Sequence, residues 1–271
     1  MELLNLPQTK QERKHLKALR RLEKESRQPP QQVIVGDTNL EKITVLCVKF
    51  GTKYGREYIE RLRNMVSRHL TVPYEFVCLT DDQHPIEGVR SIVQPMKNYK
   101  KIWWHKVHMF DSGLPIQGRI LYFDLDVVIH DNIDNLTIGH GNTFLGIKDF
   151  NRKFHPAWMY LNSSVMSWIH GTQTHIYQQF NNNPNEAQKL QGDQDWIWKT
   201  SKDRIKFWPI EWILSYKWEI RSREELVLKD GKRNFKSVTN PRIPKNCSVC
   251  VFHGDPNPHD VLDPYVVDNW R

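Results

Sequence analysis

The stretch Arg119-Ile-Leu-Tyr-Phe-Asp-Leu-Asp-Val-Val-Ile-His130 decides the fold class. An apolar, β-prone run from Ile120 to Phe123 leads directly into two aspartates, Asp124 and Asp126, and apolar residues resume as far as Ile129. Side chains at i and i+2 of a strand share a face, so the spacing predicts two neighbouring carboxylates at a strand end. Unpartnered charges within an apolar run are costly, and like charges at close range repel. A cation between them relieves both penalties. Hard divalent ions take one or two carboxylates together with substrate phosphates. The expectation is a metal–phosphate site beyond the carboxyl end of a buried strand, where open α/β sheets bind their ligands. The competing reading is a pair of solvated turn carboxylates, and the apolar flanks argue against it.

Working outward, the chain alternates strand and helix patterns. Ile43 to Phe50 is a β-branched run ending in Gly51. Between Gly55 and Leu70, apolar residues at Tyr58, Ile59, Leu62, Met65 and Val66 fall at helical spacing. Tyr74 to Leu79 predicts a second buried strand, ending in Thr80-Asp81-Asp82, and Gly88 to Val93 a third. Lys101 to Asp111 is expected to be helical, and Phe144 to Lys148 to be a strand. Strand–helix–strand order argues for a mainly parallel sheet. No glycine-rich dinucleotide or Walker-type loop follows the first strand.

The 271 residues suffice for one large α/β domain, and 26% charged with 39% hydrophobic content marks a globular chain. No apolar run approaches the roughly 20 residues that span a bilayer. The opening Met1-Glu2-Leu3-Leu4 becomes charged without an apolar signal core, so a cytoplasmic location is expected. Four cysteines are too few for a disulfide scaffold. Cys247-Ser-Val-Cys250 with His253 and His259 is too compressed for a usual zinc site. The formal charge is +8; eight Lys/Arg against three Glu between Lys10 and Arg27 make a local net of +5. This segment predicts a basic helix within an N-terminal extension over 1–42. It is either a solvated arm or a peripheral contact to anionic lipid headgroups. No nucleic-acid-binding motif accompanies the charge, so no nucleic-acid partner is expected.

Several segments, in order over about residues 43–260, resemble the nucleotide-sugar-dependent glycosyltransferases of the GT-A fold, most of all the retaining family 8 enzymes. Val45 to Tyr54 is similar to their opening strand and nucleotide loop, and Trp104 to Phe110 to the helix whose lysine contacts the donor, matched by Lys106. Leu121 to Val128 resembles the metal motif, and Tyr160 to Met166 the Asn-(Ser/Ala)-Gly-Val segment, with Ser164 in place of glycine. Gly192 to Trp196 resembles the Asp-Gln pair near the anomeric carbon, and Val251 to Gly254 the segment bearing a metal-ligating histidine.

The resemblance implies a single GT-A domain over 43–271, a Rossmann-like, mainly parallel sheet flanked by helices. It implies transfer of a hexose from a UDP-sugar to a glycan or lipid-linked acceptor, with retention. Mn²⁺, or Mg²⁺ as the alternative, would be held by Asp124, Asp126 and His253. Lys49, Tyr54, Asp81, Lys106, Asp124, Asn162, Ser163 and Gly254 would bind the nucleotide sugar. Asp193, Gln194 and Asp195 would be the catalytic group. In the bland reading, Asp193 caps the helix that follows and Asp81 ends a turn.

Trp208 and Trp212 are candidate acceptor-side indoles among ten tryptophans. One departure stands out: the family's lysine after the histidine–glycine pair is absent, the positions reading Asp255-Pro-Asn-Pro258. The resemblance then leaves the pyrophosphate to another cation, such as Lys100, Lys101 or Lys245.

Two rivals share some of these features. Asp124-Leu-Asp-Val-Val128 also resembles the nucleophile motif of haloacid-dehalogenase-type phosphatases. That motif normally opens the core, whereas here about 80 residues of strand and helix precede it. A non-catalytic sugar-nucleotide or glycan-binding module is the second rival.

Overall fold

The computed structural model describes residues 42–221 and 243–271, with the backbone of two short strands, β10 (Val227–Lys229) and β11 (Lys232–Asn234). All belong to the compact unit Glu41–Arg271. The expected basic helix over 10–27 lies outside the described residues.

A seven-stranded sheet organises the molecule. Its strands are β1 (Ile43–Lys49), β2 (Tyr74–Thr80), β3 (Arg90–Val93), β4 (Arg119–Phe123), β6 (Phe144–Lys148), β7 (Leu161–Ile169) and β8 (Ile205–Phe207). The spatial order is β3-β2-β1-β4-β7-β6-β8. β1 pairs in parallel with both β2 and β4, and β2 with β3. β7 is antiparallel to β4 and β6, and β6 is parallel to β8, so β7 alone runs against the rest. The sheet is therefore mainly parallel, as the strand–helix order predicts.

Strands buried on both faces explain the near-continuous apolar runs. Alternation sends Val45, Cys47, Leu121 and Phe123 into one core cluster, and Leu46, Ile120 and Tyr122 into the other. The helix α1 (Arg56–His69) covers the first face with Tyr58, Ile59, Leu62, Met65 and Val66 buried. Its acidic first turn (Glu57) and basic last turn (Arg68, His69) complement the helix dipole. The segment Ile102–Phe110 covers the second face as a 3₁₀ helix, buried continuously from Trp104 to Phe110. Trp208 belongs to the first cluster and partly buried Trp212 packs against it, so both are core side chains rather than acceptor-side indoles.

One expectation about the decisive stretch needs correction. Asp124 and Asp126 do not occupy one strand face; they flank Leu125 in the turn linking β4 to β5 (Val127–Ile129). β5 enters a second, three-stranded sheet with β9 (Ile213–Ser215) and β12 (Val249–Val251), in the order β5-β12-β9. Asp124 N–H donates to the Ser164 carbonyl of β7 at 2.8 Å, the last rung before the chain leaves the large sheet.

Candidate active site

A cleft opens at the carboxyl ends of β1 and β4, lined by Lys49, Lys53, Tyr54, Lys106, Asp124 and Asp126. Tyr122, Trp103 and Asp193 complete its polar and aromatic wall. Lys106 is the central cation. Its ammonium lies 2.8 Å from Asp124 Oδ1 and 3.3 Å from Asp193 Oδ2, and donates to Ser163 Oγ at 3.0 Å. It also sits over the Tyr122 ring, 5.0 Å from the centroid. Burial disfavours its charge, but Asp124 and Asp193 outweigh that and raise its pKa. Asp193 is pushed up by burial, with Lys106 partly offsetting the rise.

Asp124 accepts from Tyr122 OH at 2.5 Å, and Asp126 from Tyr54 OH at 2.9 Å. Asp126 is raised to about 6, first by burial and then by the charge of Asp124. This is the like-charge strain expected of a carboxylate pair that a cation would relieve, and two such oxygens suit a hard divalent ion.

Of the residues singled out from sequence, Lys49, Tyr54, Lys106, Asp124, Asp126 and Asp193 line this one cleft. Ser163 joins them through Lys106 and through its hydroxyl, which donates to Asp193 Oδ2 at 3.1 Å. Asn162 is buried but turned to its own chain, its Oδ1 accepting from Ser164 N–H at 3.1 Å. Asp81 supports the cleft from outside: both carboxylate oxygens accept from Gly51 N–H, at 3.2 and 3.1 Å, in the loop after β1.

No protein-family model matches the chain, and no curated protein matches it in sequence. Solved structures do. An active-site glutamine-to-glutamate mutant of LgtC superposes with a TM-score of 0.54 at 13% identity, over 79% of this chain and 89% of its own. The glycosyltransferase GlyE of Streptococcus pneumoniae TIGR4 gives 0.55 at 12% identity over 84% of this chain. The apo bifunctional glycosyltransferase WbbM gives 0.55 at 14% over 87%. This chain spans 61% of the GlyE chain and 50% of the WbbM chain. The chain has the GT-A fold.

Within this GT-A domain, the triplet Asp193-Gln194-Asp195 opens the helix α4 (Asp193–Ser201), which follows α2 (Thr174–Asn182) and α3 (Pro184–Ala187). Asp193 is not its cap: Gly192 holds that position and no side chain caps the helix. Gln194 Oε1 accepts from Ser163 N–H at 3.2 Å, and its Nε2 donates to Asp149 Oδ2 at 3.4 Å. Asp195 accepts from Tyr160 OH at 2.6 Å. The triplet therefore divides, with Asp193 in the cleft and its two neighbours facing another way.

His253 stands next to Phe252, whose N–H donates to the Asp126 carbonyl at 3.0 Å. Its ring stacks on Phe150 at 5.2 Å, and its Nε2 shares a 2.7 Å hydrogen bond with Ser215 Oγ. Among the described residues, no three His, Cys, Asp or Glu side chains are grouped closely enough to hold a metal ion. The carboxylate pair is in the cleft, and the histidine of the expected set is one backbone step away. Gly254 takes φ +67°, and an added Cβ there would lie 3.3 Å from the Lys217 ammonium.

Lys100, Lys101 and Lys245 are exposed and do not line the cleft. Lys53, in the loop after β1, does, with its ammonium 4.5 Å above the Tyr54 ring. Lys217 donates to the Asp255 carbonyl at 3.0 Å, beside the position of the absent lysine. Neither was singled out from sequence. Only the loop geometry brings them there, although Lys53 does adjoin the recognised Tyr54. No helix among the described residues is long and apolar enough to cross a membrane.

Proposed function

We propose that this chain is a glycosyltransferase that moves a hexose from a UDP-sugar to a glycan or lipid-linked acceptor, with retention. The observation that carries this reading is the convergence of Asp124, Asp126, Lys106 and Asp193 on one cleft at the strand carboxyl ends of a GT-A fold. Asp124 and Asp126 would hold Mn²⁺, which would supply Lewis-acid chemistry to the departing diphosphate; His253, bonded to Ser215 and outside the cleft lining, does not stand with them as a third ligand.

The chain's own residues do the rest. Lys49 and Lys53 place positive charge at the cleft mouth, and Tyr54 offers a ring on which the base stacks. Lys106 holds Asp124 and Asp193 at fixed positions, so neither rearranges as charge develops. Gln194, locked between Ser163 and Asp149, fixes the start of the helix that brings Asp193 into the cleft. In the transfer, the bond from the anomeric carbon to the diphosphate breaks and the acceptor oxygen bonds to that carbon. The hydroxyl proton leaves on the diphosphate.

Calorimetric titration of UDP tests the donor site, run with Mn²⁺, with EDTA, and on Asp126→Ala. Binding that requires Mn²⁺ and vanishes in the variant is expected. Absence of UDP binding under every condition would overturn the reading, and turnover of phosphate monoesters would favour the phosphatase.

A further inference from the structure

A second groove lies on the other side of the Asp193-Gln194-Asp195 turn. It measures about 480 Å³, within the roughly 300–1,000 Å³ of small-molecule sites. Asp193 lines the donor cleft, whereas Gln194 and Asp195 line this groove. The Gln194 amide is thus the partition: one end is fixed by Ser163, which bonds the donor-side Lys106, and the other by Asp149 in the groove.

The groove pairs an aromatic rim with a floor of planar acceptors. Trp158, 42% exposed, lies 5.7 Å from Tyr160 at 34°. Tyr160 lies 5.2 Å from Trp198, which stacks on Phe207. The indole lines the groove, and the ladder of rings beneath it limits its motion. The floor presents the Asp195 carboxylate and the Gln191 amide, while buried Asp149 is engaged by Asn151 and Gln194. A sugar ring matches both parts, with a C–H face for the indole and hydroxyls for the carboxylate and amide. The charge of Lys189, the one cation lining the groove, is already paired with Glu186 at 2.5 Å. The floor is therefore net acidic and disfavours anionic sugars.

We infer that this groove is the acceptor subsite and takes a neutral hexose unit of a glycan, stacked on Trp158 and hydrogen-bonded by Asp195 and Gln191. The inference rests on the transferase reading, since it needs a donor sugar on the far side of Gln194. Saturation-transfer NMR tests it, with neutral methyl hexosides, maltose and cellobiose as probes and methyl glucuronide as the charged comparison. UDP binding by the wild-type protein is measured in parallel.

At least one neutral sugar is expected to bind, with about tenfold weaker affinity in Trp158→Ala and a comparable loss in Asp195→Asn. The glucuronide is expected not to bind. Intact UDP binding with no sugar contact, or sugar binding unchanged in both variants, would overturn the subsite and leave the donor reading standing. Trp158-dependent sugar binding without any UDP binding would support a glycan site and sink the transferase.

Discussion

Lys106 holds the charge balance of the donor cleft, and its removal has consequences that can be calculated in sign. It is 9% exposed at the side chain and stands between two carboxylates on elements 18 and 87 residues away in sequence. Removing one member of a buried ion pair leaves its partners uncompensated, which costs about 3–5 kcal/mol. Lys106→Ala should therefore lower the unfolding free energy by about 3 kcal/mol, read from urea midpoints at constant slope. Asp193→Asn placed in that background should restore part of the loss, because it removes one stranded charge. A simple cavity would give no such recovery. A Lys106→Ala effect below about 1 kcal/mol would mean that water reaches both carboxylates without help. The same balance explains why these residues were legible in sequence. Asp124 and Asp126 interrupt an apolar run, and charges in such places need partners. The residues that hold the Asp193-Gln194-Asp195 triplet are different: Tyr160 and Asp149 carry no local signal, because they meet it only through tertiary pairing 35 and 45 residues apart.

At the level of elements, strand β4 is aimed at the cleft by its entry turn. Gly118 takes φ +72°, and a Cβ there would stand 1.9 Å from the Lys42 carbonyl oxygen. That oxygen accepts from Arg119 N–H at 2.9 Å, the bond that opens the β1–β4 ladder. Gly118→Ala combines left-handed backbone strain with a clash against backbone that cannot yield. Gly139 has φ +79° but nothing within 4 Å of its added Cβ, so Gly139→Ala bears the strain alone. The expected costs are about 1 kcal/mol for Gly139→Ala and about 3 kcal/mol or more for Gly118→Ala. Parallel urea denaturations measure both; equal values would show that the close approach to Lys42 does not constrain β4.

Elements with a clear period were legible. The two-faced apolar strands and the 3.6-residue stripe of α1 are instances. The small sheet β5-β12-β9 was not, because strands of three residues have no period. Val127 to Ile129 read instead as more of β4. The 3₁₀ form of Ile102–Phe110 was also hidden: a segment buried on nearly every side shows no polar face from which to read its pitch.

Across the whole molecule, the acid response is set by histidines the cleft does not use. His108 is depressed to about 4, first by burial, with its Nδ1 2.9 Å from Gln94 Oε1 and its Nε2 2.8 Å from Tyr99 OH. His130, after β5 on the other side of the fold, is likewise depressed to about 4 by burial. For each, the unfolded chain binds a proton near pH 6.5 while the folded one resists it until about 4. Their stabilising contribution is complete above pH 6.5 and is lost as pH falls toward 4. Asp126 acts with the opposite sign. Its folded pKa of about 6 lies above the ordinary 3.8, so protonation stabilises the fold as pH drops from 6 to 3.8. His69, His105 and His175 are depressed as well, and Asp193 and Glu219 raised, all first by burial, so the histidines outnumber the carboxyls on both counts. The unfolding free energy should fall by on the order of 2–3 kcal/mol between pH 7 and pH 5. Urea unfolding at half-unit steps measures this, and the combined His108→Gln, His130→Gln variant should flatten the slope although its absolute stability is lower. A flat wild-type profile would mean that both imidazoles accept protons in the folded state, and hence that water penetrates the packing on both faces of the sheet.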